Sequence, residues 1–158
     1  MAIKSFQGAR KQQPITPDAF PFKVSDIMTR ELITFKPKQS LEEVIDILIK
    51  HKISGGPVVN DNNELVGMIS EGDCLKQISE SRYYNMPIEN NLVEKRMIKD
   101  VETIDGNMNV LDAANKFLES KRRRFPIVED GKLVGQISQK DILIVALKLR
   151  GMTGNNSY

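Results

Sequence analysis

Ser70 and Asp73 stand three residues apart, and the pair returns as Ser138 and Asp141. Each pair closes an extended run, Gly67-Met68-Ile69-Ser70 or Gly135-Gln136-Ile137-Ser138, and opens a helical one. Two readings are open. In one, the serine caps the helix and the aspartate answers from the third helical position, which is helix architecture and nothing more. In the other, free N–H groups at the helix start attract a phosphate, the hydroxyl adds a donor, and the aspartate accepts both hydroxyls of a ribose. The spacing is common by itself, but its return in the same context favours the second reading. A basic run, Lys121-Arg122-Arg123-Arg124, precedes Phe125-Pro126, where the first copy has Lys52-Ile53-Ser54-Gly55. Arginine forks match phosphate geometry, so Arg123 and Arg124 are ligand candidates. The alternative is a solvated helix end whose cations complement the dipole.

Other reactive side chains are few. The one histidine, His51, follows an apolar helical stripe and reads as a helix-end or surface residue. The one cysteine, Cys74, sits just inside a helix; burial as a core thiol outweighs thiolate chemistry there. Single copies of each exclude an internal disulfide, a CxxC knuckle and a multi-histidine metal site. Tyr83 and Tyr84 fall in the joining segment and read as packing or partner contacts rather than as stacking surfaces for a base. No G-x-x-x-x-G-K-[ST] or G-x-G-x-x-G loop is present.

The elements that must position these residues come as an internal repeat. Met28 matches Met97, Thr34 matches Thr103 and Pro57 matches Pro126, each 69 positions apart. Past the turn at 60–64 the offset is 68, pairing Leu65-Val66-Gly67 with Leu133-Val134-Gly135 and Asp73 with Asp141. Each copy reads as β-α-β-β-α. The short first strands are Leu32-Ile33-Thr34-Phe35 and Val101-Glu102-Thr103-Ile104. The helix after each carries an apolar stripe at i, i+3, i+4, i+7, i+8, with Ser40 and Asn109 as expected N-caps. A hairpin follows, with Asp130-Gly131 as a strong turn signal in the second copy. The second helices are expected at about 71–78 and 139–150, with Gly151 as the stop. The resulting boundaries are an arm at 1–22, repeats at 23–78 and 93–151, a polar linker at 79–92 containing Pro87, and a tail at 152–158. A three-stranded unit of this size closes a core poorly alone. Two copies packed with pseudo-two-fold symmetry close it and leave a cleft, expected to be lined by one carboxylate from each.

The unit resembles the CBS domain (named for cystathionine β-synthase), and the pair resembles a tandem CBS or Bateman module, an α/β (α+β) fold. The resemblance rests on Val24-Ser25-Asp26-Ile27-Met28-Thr29, Gly56-Pro57-Val58-Val59 and Gly67-x-Ile69-Ser70-x-x-Asp73. The second copy carries Arg124-Phe125-Pro126-Ile127-Val128 and Gly135-x-Ile137-Ser138-x-x-Asp141. It implies a regulatory, energy-sensing module that binds AMP, ADP, ATP or S-adenosylmethionine between the repeats, with no obligatory cofactor. By the family pattern, Asp73 and Asp141 hold ribose hydroxyls, and Ser70 and Ser138 touch phosphate or ribose. Thr34, Phe35, Thr103 and Ile104 offer backbone groups and an apolar wall to adenine. Gly56, Pro57 and Val58, with Phe125, Pro126 and Ile127, form the opposite wall. Arg123 and Arg124 face the phosphates, so a charged nucleotide is expected to use the arginine side. Such pairs commonly dimerise into a flat disc, so a homodimer is expected, with its output acting on a protein partner in trans or through oligomerisation.

The 158 residues carry a net charge of +2, 40% hydrophobic and 28% charged, as a soluble globular chain does. Near-neutrality and the lack of interleaved aromatics weigh against nucleic-acid binding, which is kept as an alternative with a purely structural dimerisation module. The longest aliphatic stretch, Ile142 to Leu147, falls far short of the roughly 20 residues of a membrane span. No apolar run follows Lys4, Arg10 and Lys11, so no secretory signal and a cytoplasmic location are expected. CBS pairs occur inserted in IMP dehydrogenase, but a catalytic barrel needs about 250 residues, so enzymatic activity is not expected.

Overall fold

The computed structural model describes residues 21–84 and 91–153. The arm up to residue 20, Pro87 of the linker and the tail from 154 lie outside them. The elements run α1 (Val24–Ile27), α2 (Leu41–His51), β1 (Gly55–Val59), β2 (Leu65–Ser70) and α3 (Glu71–Tyr84), then α4 (Val93–Arg96), α5 (Val110–Ser120), β3 (Arg124–Glu129), β4 (Lys132–Ser138) and α6 (Gln139–Thr153). The expected caps are in place: Ser40 Oγ accepts from the Glu43 N–H at 3.2 Å, and Asn109 Oδ1 from the Leu111 N–H at 2.8 Å. Each satisfies one donor that the first turn leaves open. Helices α2 and α5 end on Lys52 and Lys121 at φ 55° and 59°, left-handed positions that match between the copies.

The hairpins β1–β2 and β3–β4 are antiparallel and carry an irregularity at the same place, between Val58 and Val59 and between Ile127 and Val128. Asp130 and Gly131 have positive φ, 52° and 79°, as a tight hairpin turn requires. The expected first strands are reduced to single parallel bridges, Phe35 beside Val58 and Ile104 beside Ile127. Pro37 and the turn at 105–108 redirect the chain too soon for a ladder. Two helices outrun their expected ends. Helix α3 reaches Tyr84, so 79–84 is helix rather than linker, and Tyr83 and Tyr84 lie on it. Its extension has no apolar period to announce it; a buried pair, Gln77 Nε2 donating to Ser81 Oγ at 2.8 Å, holds its inner face. Helix α6 runs through Gly151 to Thr153, so Gly151 is not its stop.

The packing departs from the repeat boundaries. Val24 and Met28, which open copy one, are buried in the core of copy two with Ile104, Phe117, Phe125, Ile127 and Ile137. Reciprocally, Val93 and Met97 pack into the core of copy one with Phe35, Leu41, Val44, Val58 and Ile69. Backbone bonds secure the exchange. Thr29 and Gln136 trade N–H···O bonds at 2.9 and 3.0 Å, and Ile98 and Met68 trade them at 2.8 and 2.9 Å. Arg96 of α4 pairs with Glu80 of α3 at 2.7 Å. The hairpin ends meet as well: the Leu133 N–H donates to the Asn63 carbonyl, whose side chain donates back to the Leu133 carbonyl. The halves 23–78 and 93–151 are therefore units of sequence, while each core is built from both. No helix among the described residues is long and apolar enough to cross a membrane.

Candidate functional site

Strand β2 hands its last residue, Ser70, directly to α3, and β4 hands Ser138 to α6. The capping geometry forms at both joints. The Asp73 carboxylate accepts the Ser70 N–H and hydroxyl, each at 2.9 Å, and the Asp73 N–H donates to Ser70 Oγ at 3.3 Å. Asp141 Oδ2 accepts the Ser138 N–H at 2.8 Å, and its own N–H donates to Ser138 Oγ at 3.2 Å. The bonds that the carboxylates accept all fall on Oδ2. The Oδ1 atoms of Asp73 and Asp141 have no partner among the described residues, so the architectural reading and the binding reading use different atoms. The helix starts are less open than expected. The Glu71 N–H donates to the Ser54 carbonyl at 2.8 Å, and the Gln139 N–H to that of Arg123 at 3.4 Å. With the Asp73 and Asp141 N–H groups also engaged, the second helical position, Gly72 or Lys140, keeps the free donor.

A cleft of about 240 Å³ lies against the first of these joints. Copy one contributes Ser54, Gly55, Gly56, Met68, Ile69, Ser70 and Asp73. Copy two contributes Ile98, Val101, Glu102, Arg122, Arg123, Arg124 and Pro126. The cleft thus draws its carboxylate–hydroxyl pair from one repeat and its arginines from the other. The expected arrangement, with a carboxylate from each repeat, is corrected: Ser138 and Asp141 do not line it. Their joint stands beside the equivalent surface, where Gln136 replaces Met68, Thr29 replaces Ile98, Ile33 replaces Glu102 and Ser54 replaces Arg123. The Gln136 Oε1 atom is buried there without a partner among the described residues.

Of the expected wall residues, Gly56 and Pro126 line the cleft. Phe35, Val58, Phe125 and Ile127 are completely buried, and Ile104 is 2% exposed. Their side chains form the two cores, and the Phe35 N–H is spent on the Pro57 carbonyl and the Ile104 N–H on that of Pro126. Pro57, Thr34 and Thr103 also lie outside the lining. The apolar wall is made instead by Met68, Ile98 and Val101. Val101 opens the expected first strand of copy two, whereas no motif marks Met68 or Ile98; Ile98 stands next to the matched Met97. Glu102 was equally unmarked. Arg122 and Arg123 are exposed, and Arg124 is half-buried with its guanidinium 3.4 Å from Ser54 Oγ across the repeats. Lys121 is the helix cap and does not line the cleft. His51 is exposed at the end of α2. Cys74 is buried, and that burial, with the Asp73 charge beside it, pushes its thiol above the ordinary range. No cluster of metal-ligating side chains occurs among the described residues.

The CBS domain model matches residues 24–80 and again 93–148. A crystal structure of CBSX2 in complex with AMP superposes with a TM-score of 0.72 at 32% identity, covering 82% of this chain and 98% of that one. The curated CBSX2 sequence, a chloroplastic protein of Arabidopsis thaliana, is 29% identical over 86% of this chain and 68% of its own length. The CBS domain pair of MJ0100, solved with 5-methylthioadenosine and S-adenosyl-L-methionine, gives a TM-score of 0.64 at 28% identity, covering 86% of this chain and 99% of that one. MJ1225 of Methanocaldococcus jannaschii is 28% identical over 76% of this chain, which spans 41% of that protein's length.

Proposed function

This chain belongs to the CBS domain family, with two copies covering most of its length, and on that premise we propose that it is a regulatory module that binds an adenosine compound and performs no chemistry of its own. One observation carries the reading: the cleft brings Ser70 and Asp73 of one repeat against Arg122, Arg123 and Arg124 of the other. The free Oδ1 of Asp73 is the atom for ribose hydroxyls. Met68, Ile98 and Val101 give a base an apolar surface, and the exposed arginines give phosphates a counter-charge. CBSX2 with AMP and MJ0100 with S-adenosyl-L-methionine support this ligand class. A ligand touching both repeats favours one relative placement of them over others, and a partner reads the difference. We place the module in the cytoplasm as a homodimer.

The test is thermal melting with AMP, ADP, ATP and S-adenosylmethionine. At 100 times its Kd, a ligand adds about 2.7 kcal/mol of stability, a rise of roughly 5–10 °C for a chain of this length. Asp73→Asn keeps an acceptor oxygen for Ser70 but loses the charge, so it should melt near the wild type and lose most of the ligand-induced rise. Lys121→Ala should keep that rise. The reading fails if no adenosine compound at millimolar concentration moves the melt.

A further inference from the structure

Among the described residues, Glu102 is the carboxylate of the cleft lining that pairs with one of its arginines. Its Oε2 receives the Arg122 Nε–H at 3.2 Å, and its Oε1 faces the Lys116 ammonium at 3.3 Å. Both oxygens are thus held, and the carboxylate is fixed along the wall that the arginines share. Arg123 has no side-chain partner among the described residues, and Arg124 reaches only the Ser54 hydroxyl. The three guanidinium groups are therefore not equivalent: two are uncommitted to an acid, and the third already has one. The opposite repeat has Ile33 at the matching position, so this counter-charge belongs to the arginine side alone.

We propose that Glu102 sets the number of phosphates the cleft accepts. Arg123 and Arg124 together offset the roughly two negative charges of a monophosphate. A longer chain reaches Arg122 only by displacing Glu102 or by lying against its charge. Exposed ion pairs are weak and exchangeable, so Glu102 acts as a discriminator rather than a block. It lowers affinity for polyphosphates and leaves the base and ribose contacts untouched. The inference rests on the nucleotide reading of the cleft.

Isothermal titration of adenosine, AMP and ATP, in EDTA at about 0.1 M salt, compares the wild type with Glu102→Gln. The amide keeps size and a hydrogen-bond acceptor for Arg122 while removing the charge, and Glu102 is 37% exposed, so the fold should survive. The ATP affinity should rise about 3- to 10-fold, AMP by less, and adenosine not at all. The gain should shrink in 0.5 M salt. Adding Arg122→Ala to Glu102→Gln should remove most of the ATP gain. An unchanged ratio of ATP to AMP affinity in Glu102→Gln, or an equal change for all three ligands, overturns the proposal while leaving the nucleotide site standing. Binding of none of the three, by wild type or variant, overturns both.

Discussion

Asp73 uses its two carboxylate oxygens unequally. Its Oδ2 closes the cap on Ser70, its Oδ1 has no partner among the described residues, and the residue lines the cleft. The Ser-x-x-Asp spacing was legible because capping chemistry depends on residue type and interval alone. Which arginines join which aspartate was not legible, because that depends on how the repeats dock. Glu102 escaped for a related reason: a lone carboxylate has meaning only beside the cations that face it. Cys74 gives a prediction of its own. Burial and the neighbouring Asp73 charge raise its pKa above the ordinary 9.0, so the folded state favours the protonated thiol. The stability this gives is full below that value and is lost as pH rises through the raised one. Alkylation by iodoacetamide at pH 8.5 should therefore be slower in the native protein than in urea by about tenfold or more. Equal rates would mean that the thiol is open to solvent.

At the level of helices and strands, the hairpins, caps and apolar stripes all followed from periodicity and turn chemistry. The length of α3 did not, because a helix whose inner face is closed by Gln77 and Ser81 has no apolar rhythm to read. Nor did the exchange of leading segments: matching Met28 to Met97 says which residues correspond, not which copy they pack upon. The two matched glycines show what the exchange requires. A Cβ on Gly67 would lie 2.5 Å from Met97 Sδ and 2.9 Å from the Ile98 carbonyl oxygen. On Gly135 it would lie 2.7 Å from Met28 Sδ and 2.9 Å from the Thr29 carbonyl oxygen. The methionine side chain can move; the bridge backbone cannot do so without breaking its bonds to β2 or β4. Gly67→Ala and Gly135→Ala should each cost about 1–3 kcal/mol in urea unfolding. Gly72→Ala, at an exposed helical position with Ser70 Oγ 3.6 Å from the added carbon, should cost nothing or stabilise. A neutral Gly67→Ala would show that the leading segment is not seated where the structure puts it.

The assembled pair leaves large apolar side chains in solvent. Ile49, Leu75, Leu118, Leu143 and Leu147 are each 67–78% exposed, and Ile49 with Leu118 and Leu75 with Leu143 occupy matched positions in the two copies. A groove of about 420 Å³ runs among Ile45, Ile49, Leu75 and Ile78. Patches of this kind mark interfaces in soluble proteins, and the pseudo-symmetry of the patch suits the self-complementary contact of a two-fold dimer. Leu75→Glu with Leu143→Glu should therefore yield a folded monomer in sedimentation equilibrium, and the wild type should sediment as a dimer. A monomeric wild type would rule out self-association as the cover for this face.

Phe22, just before α1, and Leu149, near the end of α6, share a cluster with Val110 and Val145. The beginning and the end of the described fold are thus spatial neighbours, and each leading segment stays attached to the repeat that follows it. A gene opened within codons 85–90 and spliced from the last helix back to residue 22 through a short connector would encode every contact described above. Such a circular permutant exchanges first for second without moving an atom of either core: geometrically, neither repeat is the first.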